Sequence, residues 1–514
     1  MTATPATFSS FTPPGSPPRK RNKAQEPSPS QDLPCINNYR GYVPPPGTTT
    51  VEAIDLPVFL STHGERQAPF AFFRQYIGPR KPVLIRGTLP DQQWRAGTMW
   101  KDPEYLKSKA GKARVRVETR ENTREEYGQG KETTMLFEEF VTEVVDKENQ
   151  LLYLTTQELD IGPDDRPALM SSPLTELQGD LPLRPSLLRL LVPQNMNLWM
   201  GRSGRGEGGR EGESSSGLHH DYHDNLYILL GGRKVFRLYA PSEAPNMYTL
   251  GKLRLVHGNG RLNYYGQPLT CADGREKNAV KAWEAARRLE EVARRSERES
   301  GKEGGREREE EALEAALEAV LDTELEGEEG KEGQEEEEEE DAASDQEEYP
   351  RLQAPQSGSP LPPSLPPPLP PSLPSTTFAR TGKPPANFSR VDLTAPDGVD
   401  PALFPAFPRH PPLEVEVQEG EMLYLPAGWF HHVQSKGGIH MAVNYWFHPP
   451  DGEGGGGEGK DSVYMDGFWE RDWQERMQGR REQEAVGGGG GNDGGSREGS
   501  GKERRGEVER DGSE

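Results

Sequence analysis

Apolar and polar positions divide the first half of the chain into short helices and strands. The segment APFAFFRQYI (68–77) predicts a helix, and TTMLFEEFVTEVVDKE (133–148) has the spacing of a helix with one apolar face. Strands are predicted at KPVLIRGTL (81–89), at the strictly alternating ARVRVETRE (113–121) and at LLYLTTQEL (151–159). This part of the chain therefore mixes helices with short strands.

The second half of the chain is dominated by strand patterns. A long apolar run follows the segment LHHDYHD (218–224) and continues as KVFRLYAP (234–241), with a predicted turn at the intervening Gly-Gly-Arg-Lys. Further strands are predicted at PPLEVEVQEGEMLYLPAGWFHHVQS (411–435) and IHMAVNYWFHPP (439–450). Many short strands after a mixed section predict a mainly β fold with flanking helices, closed as a double-sheet barrel.

Composition indicates that the folded sequence is diluted by segments that cannot bury a core. The chain has 514 residues, of which only 32% are hydrophobic, with 58 glycines and 48 prolines. The predicted division is as follows: a disordered tail at 1–50, a helix and strand portion at 51–200, the first half of the barrel at 201–271, a disordered acidic and proline-rich insert at 272–385, the second half of the barrel at 386–450, a linker and C-terminal helix at 451–482, and a disordered tail at 483–514.

The charge and the cysteines exclude several classes of protein. A net charge of −23 argues against direct nucleic-acid binding, which needs a basic surface. Cys35 and Cys271 form no C-x-x-C pair, so neither a disulfide framework nor a structural zinc site is predicted. No apolar run reaches the roughly 18 residues of a membrane span, and no signal peptide is visible. We therefore expect a cytoplasmic or nuclear protein; PPRKRNK (17–23) is either an import signal or a solvated basic cluster.

The segment 218–224 carries candidate metal ligands. Residues i and i+2 of a strand share a face, so His219 and Asp221 would present an imidazole beside a carboxylate. A second imidazole from a neighbouring strand would complete a facial triad suited to Fe(II), which leaves coordination positions open. The candidate is His431, which follows a Pro-Ala-Gly turn. An H-x-D triplet alone is equally well explained as the polar end of a loop.

Three segments together resemble the JmjC oxygenases, in particular the small JmjC protein hydroxylases. They are LHHDYHDNLYILLGGRK (218–234), GEMLYLPAGWFHHV (420–433) and AVNYWF (442–447). The resemblance covers most of residues 51–271 and 386–480 and is interrupted by the insert. It implies a double-stranded β-helix of the cupin or jelly-roll type.

The resemblance also implies roles for individual residues. His219, Asp221 and His431 would bind the iron, and Lys234 would pair with the distal carboxylate of 2-oxoglutarate. Four further residues would contact the co-substrate or lie near the iron: Tyr153, Ser216, Asn225 and Asn444.

The function implied is that of an Fe(II)- and 2-oxoglutarate-dependent dioxygenase. Such an enzyme uses O2, with ascorbate as a supporting reductant, to hydroxylate a side chain of a protein substrate, and it releases succinate and CO2. The alternative is a histone lysine demethylase, but two isolated cysteines leave no room for zinc-bound reader modules. A non-catalytic JmjC-like binding protein would lack a metal ligand or Lys234, and all four residues are present.

The C-terminal segment SVYMDGFWERDWQERMQ (462–478) carries a candidate interaction surface. Tyr464, Phe468, Trp473 and Met477 lie roughly on one helical stripe. In some relatives of the family C-terminal helices form a dimer interface, so the stripe predicts either a homodimer or packing against the barrel of the same chain.

Overall fold

The described part of the computed structural model comprises the following residues: 35–120, 131–161, 166–204, 213–277, 280–281, 283–284, 287–288, 385–395, 398–452 and 463–487. Within these ranges, no helix combines the length and the apolar character needed to cross a membrane. The basic cluster at 17–23, most of the predicted insert and most of the predicted tails lie outside the described residues.

Strands account for most of the regular structure. They are β1 (Ile36–Asn37), β2 (Glu52–Asp55), β3 (Val83–Arg86), β4 (Arg114–Thr119), β5 (Lys131–Leu136), β6 (Leu152–Leu154), β7 (Pro193–Arg202), β8 (Glu213–His220), β9 (Asp224–Tyr239), β10 (Leu253–Val256), β11 (Leu262–Tyr264), β12 (Leu413–Gln418), β13 (Met422–Leu425) and β14 (Phe430–Phe447).

Helices flank the strands on the N-terminal side and at the C-terminus. They are α1 (Leu56–His63), α2 (Ala68–Phe72), α3 (Ala96–Met99), α4 (Pro103–Ala110), α5 (Phe137–Val141), α6 (Leu174–Leu177) and α7 (Phe468–Gly487). Single π-helical turns extend α2 (Phe73–Ile77) and α5 (Thr142–Asp146), and short 3₁₀ segments lie at Gln178–Asp180, Ser186–Leu188 and Pro241–Asn246.

The barrel is built on β9 and β14, two long antiparallel strands that pair along most of their length. The first half of β9 also pairs with β13, and its second half pairs with β12. In the same way β14 pairs first with β8 and then with β7. Each long strand therefore serves both sheets of a jelly roll, which confirms the predicted double-stranded β-helix.

The C-terminal stripe packs on the chain's own core. Tyr464 and Phe468 are buried in the largest hydrophobic cluster, and Trp473 and Met477 pack against the same cluster from α7. This is the second of the two arrangements that the sequence allowed. A homodimer formed through the C-terminal helix stays a prediction.

Two predictions of local structure are wrong. Residues 133–136 belong to strand β5 rather than to a helix, because they pair residue by residue with β4 and this tertiary pairing overrides the helical spacing. Gly231–Lys234 is not a turn either. Strand β9 continues through it, with an irregular register opposite Met441 that bends the strand from one sheet toward the other.

The ordered fold also extends past two predicted boundaries. Strand β1 pairs in parallel with β10, so regular structure begins before residue 51. At the start of the predicted insert, Asp273, Arg275 and Trp283 are buried. Arg275 forms ion pairs with Asp273 and with Asp466, which ties the start of this segment to the residues that precede α7.

Candidate active site

The end of β8 and the start of β14 bring the three predicted metal ligands together. His219 and His431 are direct partners in the antiparallel pairing, and their ring centroids are 4.2 Å apart. Asp221 follows β8, and its Oδ2 lies 3.8 Å from Nε2 of His431. One ligand atom from each residue lies within 4.8 Å of the others. This arrangement is suited to one divalent cation.

Backbone carbonyls orient both imidazoles. Nδ1 of His219 lies 3.1 Å from the carbonyl oxygen of Gly217, and Nδ1 of His431 lies 2.9 Å from that of Trp429. When Nδ1–H donates these bonds, Nε2 of each ring carries a free lone pair for a metal. Burial, assisted by the neighbouring His431, lowers the pKa of His219 well below its ordinary value. His219 is therefore neutral at physiological pH, as a metal ligand must be.

A chain of hydrogen bonds supports Asp221, the third predicted ligand. Nδ2 of Asn225 lies 3.4 Å from Oδ2 of Asp221 and makes a long hydrogen bond. Asn225 in turn accepts from Nδ2 of Asn444 at 3.1 Å, and Asn444 accepts from Nε1 of Trp199 at 2.8 Å. Asn225 lines the cavity, whereas Asn444 is fully buried behind it. Asn444 thus reaches Asp221 through Asn225 and does not contact the cavity itself.

A buried ion pair fixes the turn that delivers His431. Arg80 binds both carboxylate oxygens of Asp224, which is completely buried. The same carboxylate accepts from the backbone N–H of Ala427 at 3.0 Å and from the hydroxyl of Tyr424 at 2.7 Å. Asp224 therefore stabilises the turn before His431, although it lies among the metal-friendly residues of 218–224.

His220 likewise belongs to the scaffold. Its ring lies on the side of β8 away from the triad, is buried, and its Nε2 is 2.6 Å from the hydroxyl of Tyr264. Burial lowers its pKa to about 3. His223 lines the cavity, stacks on Trp446 and is not part of the group that could hold a metal.

A cavity of about 480 Å³ connects the triad with Lys234. The Lys234 side chain is 3% exposed, and its Nζ donates to Oγ of Ser435 at 2.5 Å and lies 5.7 Å from the ring centroid of Tyr153. No carboxylate among the described residues forms an ion pair with Lys234. Burial lowers its pKa to about 7. The cavity thus contains an amine whose positive charge, when it is protonated, no described carboxylate neutralises.

The residues present fit the two groups that the family resemblance implies. Burial raises the pKa of Asp221, so a cation bound between this carboxylate and the two imidazoles would stabilise its charged form. Oγ of Ser216 is buried on the cavity wall and has no hydrogen-bond partner among the described residues. A carboxylate in the cavity would accept from this hydroxyl and would neutralise Lys234. The donor set therefore suits Fe(II), and Lys234 with Ser216 suits 2-oxoglutarate.

Ser435 and Phe388 are among the cavity residues that the sequence did not predict. Ser435 lies four positions after His431 on β14, and both side chains line the cavity. Strand alternation starting from His431 could have identified it. Phe388 also lines the cavity and stacks on His219. Phe388 is distant in sequence from every motif, and no local pattern marks it.

Comparison with known proteins gives one family match and one relative that aligns over most of the chain. The family described as a cupin-like domain matches residues 69–453. JmjC domain-containing protein 4 of Schizosaccharomyces pombe is 31% identical over 459 residues, which cover 81% of this chain and 88% of that protein.

Two further relatives match over shorter stretches. The human protein named bifunctional peptidase and (3S)-lysyl hydroxylase JMJD7 is 28% identical over 185 residues, or 34% of this chain and 53% of that protein. The lysine-specific demethylase JMJ32 of Arabidopsis thaliana is 50% identical over 48 residues, or 9% of this chain and 14% of that protein.

Proposed function

The chain belongs to the cupin-like JmjC family, and we propose that it is an Fe(II)- and 2-oxoglutarate-dependent dioxygenase that hydroxylates a side chain of a protein substrate. Succinate and CO2 would be the co-products. The observation that carries the proposal is the cavity itself, because the His219, Asp221 and His431 triad and the buried Lys234 line the same cavity.

Each side chain has a distinct task in this proposal. The triad would hold Fe(II), which when bound supplies the activation of O2 with 2-oxoglutarate as the source of electrons. Lys234 binds the far carboxylate of 2-oxoglutarate as an ammonium donor, and Ser216 and Tyr153 lie on the wall beside it. The hydrogen bond from Asn225 helps to hold Asp221 in place.

The charges of the cavity wall support a basic substrate side chain. Besides Asp221 and Lys234, the cavity is lined by three carboxylates, of Glu118, Glu132 and Glu158, and by one guanidinium, of Arg116. Arg116 lies 3.8 Å from Glu132 and 3.5 Å from Glu158. Carboxylates that outnumber cationic side chains along a cavity wall favour a cationic partner. We therefore infer a lysine side chain as the first substrate to test, in keeping with the hydroxylase name of the human relative.

The alternative reaction is removal of a methyl group from lysine. It draws support from the demethylase name of the plant relative, whose match is confined to 48 residues. The two reactions differ in product, because hydroxylation adds an oxygen atom to the peptide whereas demethylation removes a methyl group as formaldehyde. A binding protein without catalysis is the third possibility and would release no succinate.

The test is succinate release by the purified full-length protein with Fe(II), 2-oxoglutarate, O2 and ascorbate. We expect turnover in the wild type, loss of turnover in His219→Ala, and retention in His410→Ala, which changes an exposed histidine away from the cavity. Mass spectrometry of lysine-containing peptides from cell extract then identifies the product. Absence of succinate in the presence of such peptides would contradict the proposal.

A further inference from the structure

Phe388 lies directly opposite the first metal ligand, His219, in a short antiparallel bridge formed by residues that follow the predicted insert. We propose that Phe388 is a positioning residue of the metal site, which holds the His219 ring in the orientation needed for metal binding and closes the cavity beside it. The inference rests on the proposed function, because it requires that His219 binds a metal.

The backbone explains why these two side chains meet. The N–H of His220 donates to the carbonyl of Asn387 at 3.3 Å, and the N–H of Ser389 donates to the carbonyl of Leu218 at 2.8 Å. These bonds make Phe388 and His219 a non-hydrogen-bonded pair, the arrangement in which side chains on neighbouring strands lie closest. The Asn387 side chain strengthens the bridge, since its Nδ2 donates to the carbonyl of His220 at 2.6 Å.

The two rings stack almost parallel. Their centroids are 4.7 Å apart and their planes differ by 9°. On the opposite edge of β8, the His431 ring lies 4.2 Å from His219 at an angle of 58°. Rotation of the His219 imidazole out of its plane would separate it from Phe388 or move it into His431. The bond from Nδ1 to Gly217 fixes the remaining rotation, so Nε2 has one direction available.

Ordinary core packing does not account for Phe388. It belongs to none of the three hydrophobic clusters of the described residues, whereas Ala386 and Phe404, from the same part of the chain, pack against one of them. Phe388 remains half-buried and lines the cavity. Among the described residues its ring stacks on His219, so the face of the Phe388 ring contacts the predicted metal site and not a hydrophobic core.

The test measures Co(II) binding, which requires no turnover. Titration of the full-length protein, followed through the visible absorption of bound Co(II), gives an affinity and a spectrum for each variant. We expect Phe388→Ala to weaken binding about 10- to 100-fold, the range typical of residues that orient a metal ligand. Phe388→Leu keeps most of the volume but not the flat face and should also weaken binding, whereas Phe388→Tyr keeps the face and should bind as the wild type does.

Phe404→Ala is the matched control. Phe404 packs on Tyr248, with ring centroids 5.0 Å apart, and does not line the cavity. The Phe404→Ala substitution should lower thermal stability without changing the Co(II) spectrum or affinity. Equal affinities and spectra for the wild type, Phe388→Ala and Phe388→Leu would overturn this inference but not the proposed function. If Phe388→Ala does not fold, the comparison of Phe388→Leu with Phe388→Tyr decides. Weaker Co(II) binding by Phe388→Leu supports the inference, and equal binding by the two variants overturns it.

Failure of the proposed function has a different signature. Co(II) binding that is lost in His219→Ala and weakened in Phe388→Ala, without succinate release from the Fe(II) protein, would support the inference and contradict the dioxygenase. Absence of Co(II) binding by the wild type would overturn both.

Discussion

Nζ of Lys234 lies 2.5 Å from Oγ of Ser435, its direct neighbour across the β9 and β14 pairing. Both residues line the cavity and both are buried. A hydroxyl offers a hydrogen bond but no negative charge, and burial accordingly lowers the pKa of Lys234 to about 7. The protein thus holds a lysine that an anionic ligand would stabilise in its charged form.

Replacing this lysine should separate ligand binding from stability. We expect Lys234→Met to weaken binding of 2-oxoglutarate at least about 30-fold, which corresponds to about 2 kcal/mol for the loss of one partner of a buried charge pair. The unliganded variant should be as stable as the wild type or more so, because a buried charge is removed. Calorimetric titration with 2-oxoglutarate and thermal unfolding measure the two effects. Lys101→Met, at an exposed position, should leave 2-oxoglutarate binding unchanged and cost less than about 1 kcal/mol in stability.

The lowered pKa of Lys234 also predicts a pH dependence. Its ordinary pKa is 10.5, so between pH 7 and about 10.5 the unfolded chain binds a proton that the folded chain does not. Lys234 therefore lowers the free energy of unfolding most strongly below pH 7. This destabilisation decreases as the pH rises from 7 to about 10.5. The stability advantage of Lys234→Met should be largest at pH 6 and should shrink by pH 10.

Binding of 2-oxoglutarate should have the opposite pH dependence. The anion needs the charged form of Lys234, so its affinity should fall as the pH rises above 7. The affinity of Lys234→Met should not show this decrease. Parallel affinity profiles for the two proteins between pH 6 and 9 would contradict the assignment of Lys234 to the co-substrate.

Loss of the buried ion pair of Arg80 and Asp224 should destabilise the fold more than loss of an exposed ion pair. Arg80→Ala leaves the completely buried Asp224 carboxylate without its cation, and we expect a loss of about 3–5 kcal/mol in the free energy of unfolding. Lys101→Ala removes an exposed partner of Glu419 and should cost less than about 1 kcal/mol. Urea unfolding of both variants measures the difference, and similar losses would show that Asp224 is stabilised by its other partners.

Local sequence was sufficient to place the site residues that follow strand alternation or a recognisable turn. His219 and Asp221 are two positions apart, and His431 follows a recognisable turn, so each could be placed at the end of a strand. The assignment of Lys234 depended on the family resemblance, since its position alone predicted a turn. In the fold it lies within β9, where the strand bends.

Contacts between distant segments could not be predicted in this way. Arg80 reaches Asp224 from a connection before β3, and Phe388 reaches His219 from beyond the insert. Each contact depends on strand register and on the path of a loop, and neither is encoded in the alternation of nearby residues. The same reason explains β5, where pairing with β4 determined the structure of residues that carry a helical pattern.

Loss of the Asn444 side chain should weaken metal binding, although Asn444 does not line the cavity. Asn444→Ala leaves the Trp199 indole N–H and the Asn225 amide oxygen without a partner, which should cost about 1–3 kcal/mol in stability. Because Asn225 then loses its orientation toward Asp221, Co(II) affinity should also fall, by about 10-fold or more.

The control for this prediction is Asn263→Ala. Asn263 lies on β11, is buried and hydrogen-bonded to Thr270, and does not line the cavity. It should lower stability by a similar amount and leave Co(II) affinity unchanged. An equal loss of affinity in both variants would mean that general loosening of the fold, and not the chain of hydrogen bonds, determines metal binding.

Gly428 links the turn before His431 to the backbone of Asp221, another of the predicted metal ligands. Its N–H donates to the carbonyl of Asp221 at 2.9 Å, and its φ of +78° is strained for any residue with a side chain. A Cβ atom at this position would lie 1.8 Å from the carbonyl oxygen of Gly260, a contact that only a backbone movement could relieve.

Gly428→Ala should therefore reduce stability and Co(II) affinity together, because the shift of the turn displaces both Asp221 and His431. Gly420→Ala is the matched control: its φ is +85°, but no atom lies within 4 Å of the added Cβ. We expect about 1–2 kcal/mol of backbone strain in both variants and a further 1–3 kcal/mol, roughly, from overpacking at position 428 alone. Urea unfolding and Co(II) titration of the pair separate the two contributions. Normal metal affinity in Gly428→Ala would show that the His431 strand is positioned independently of the turn.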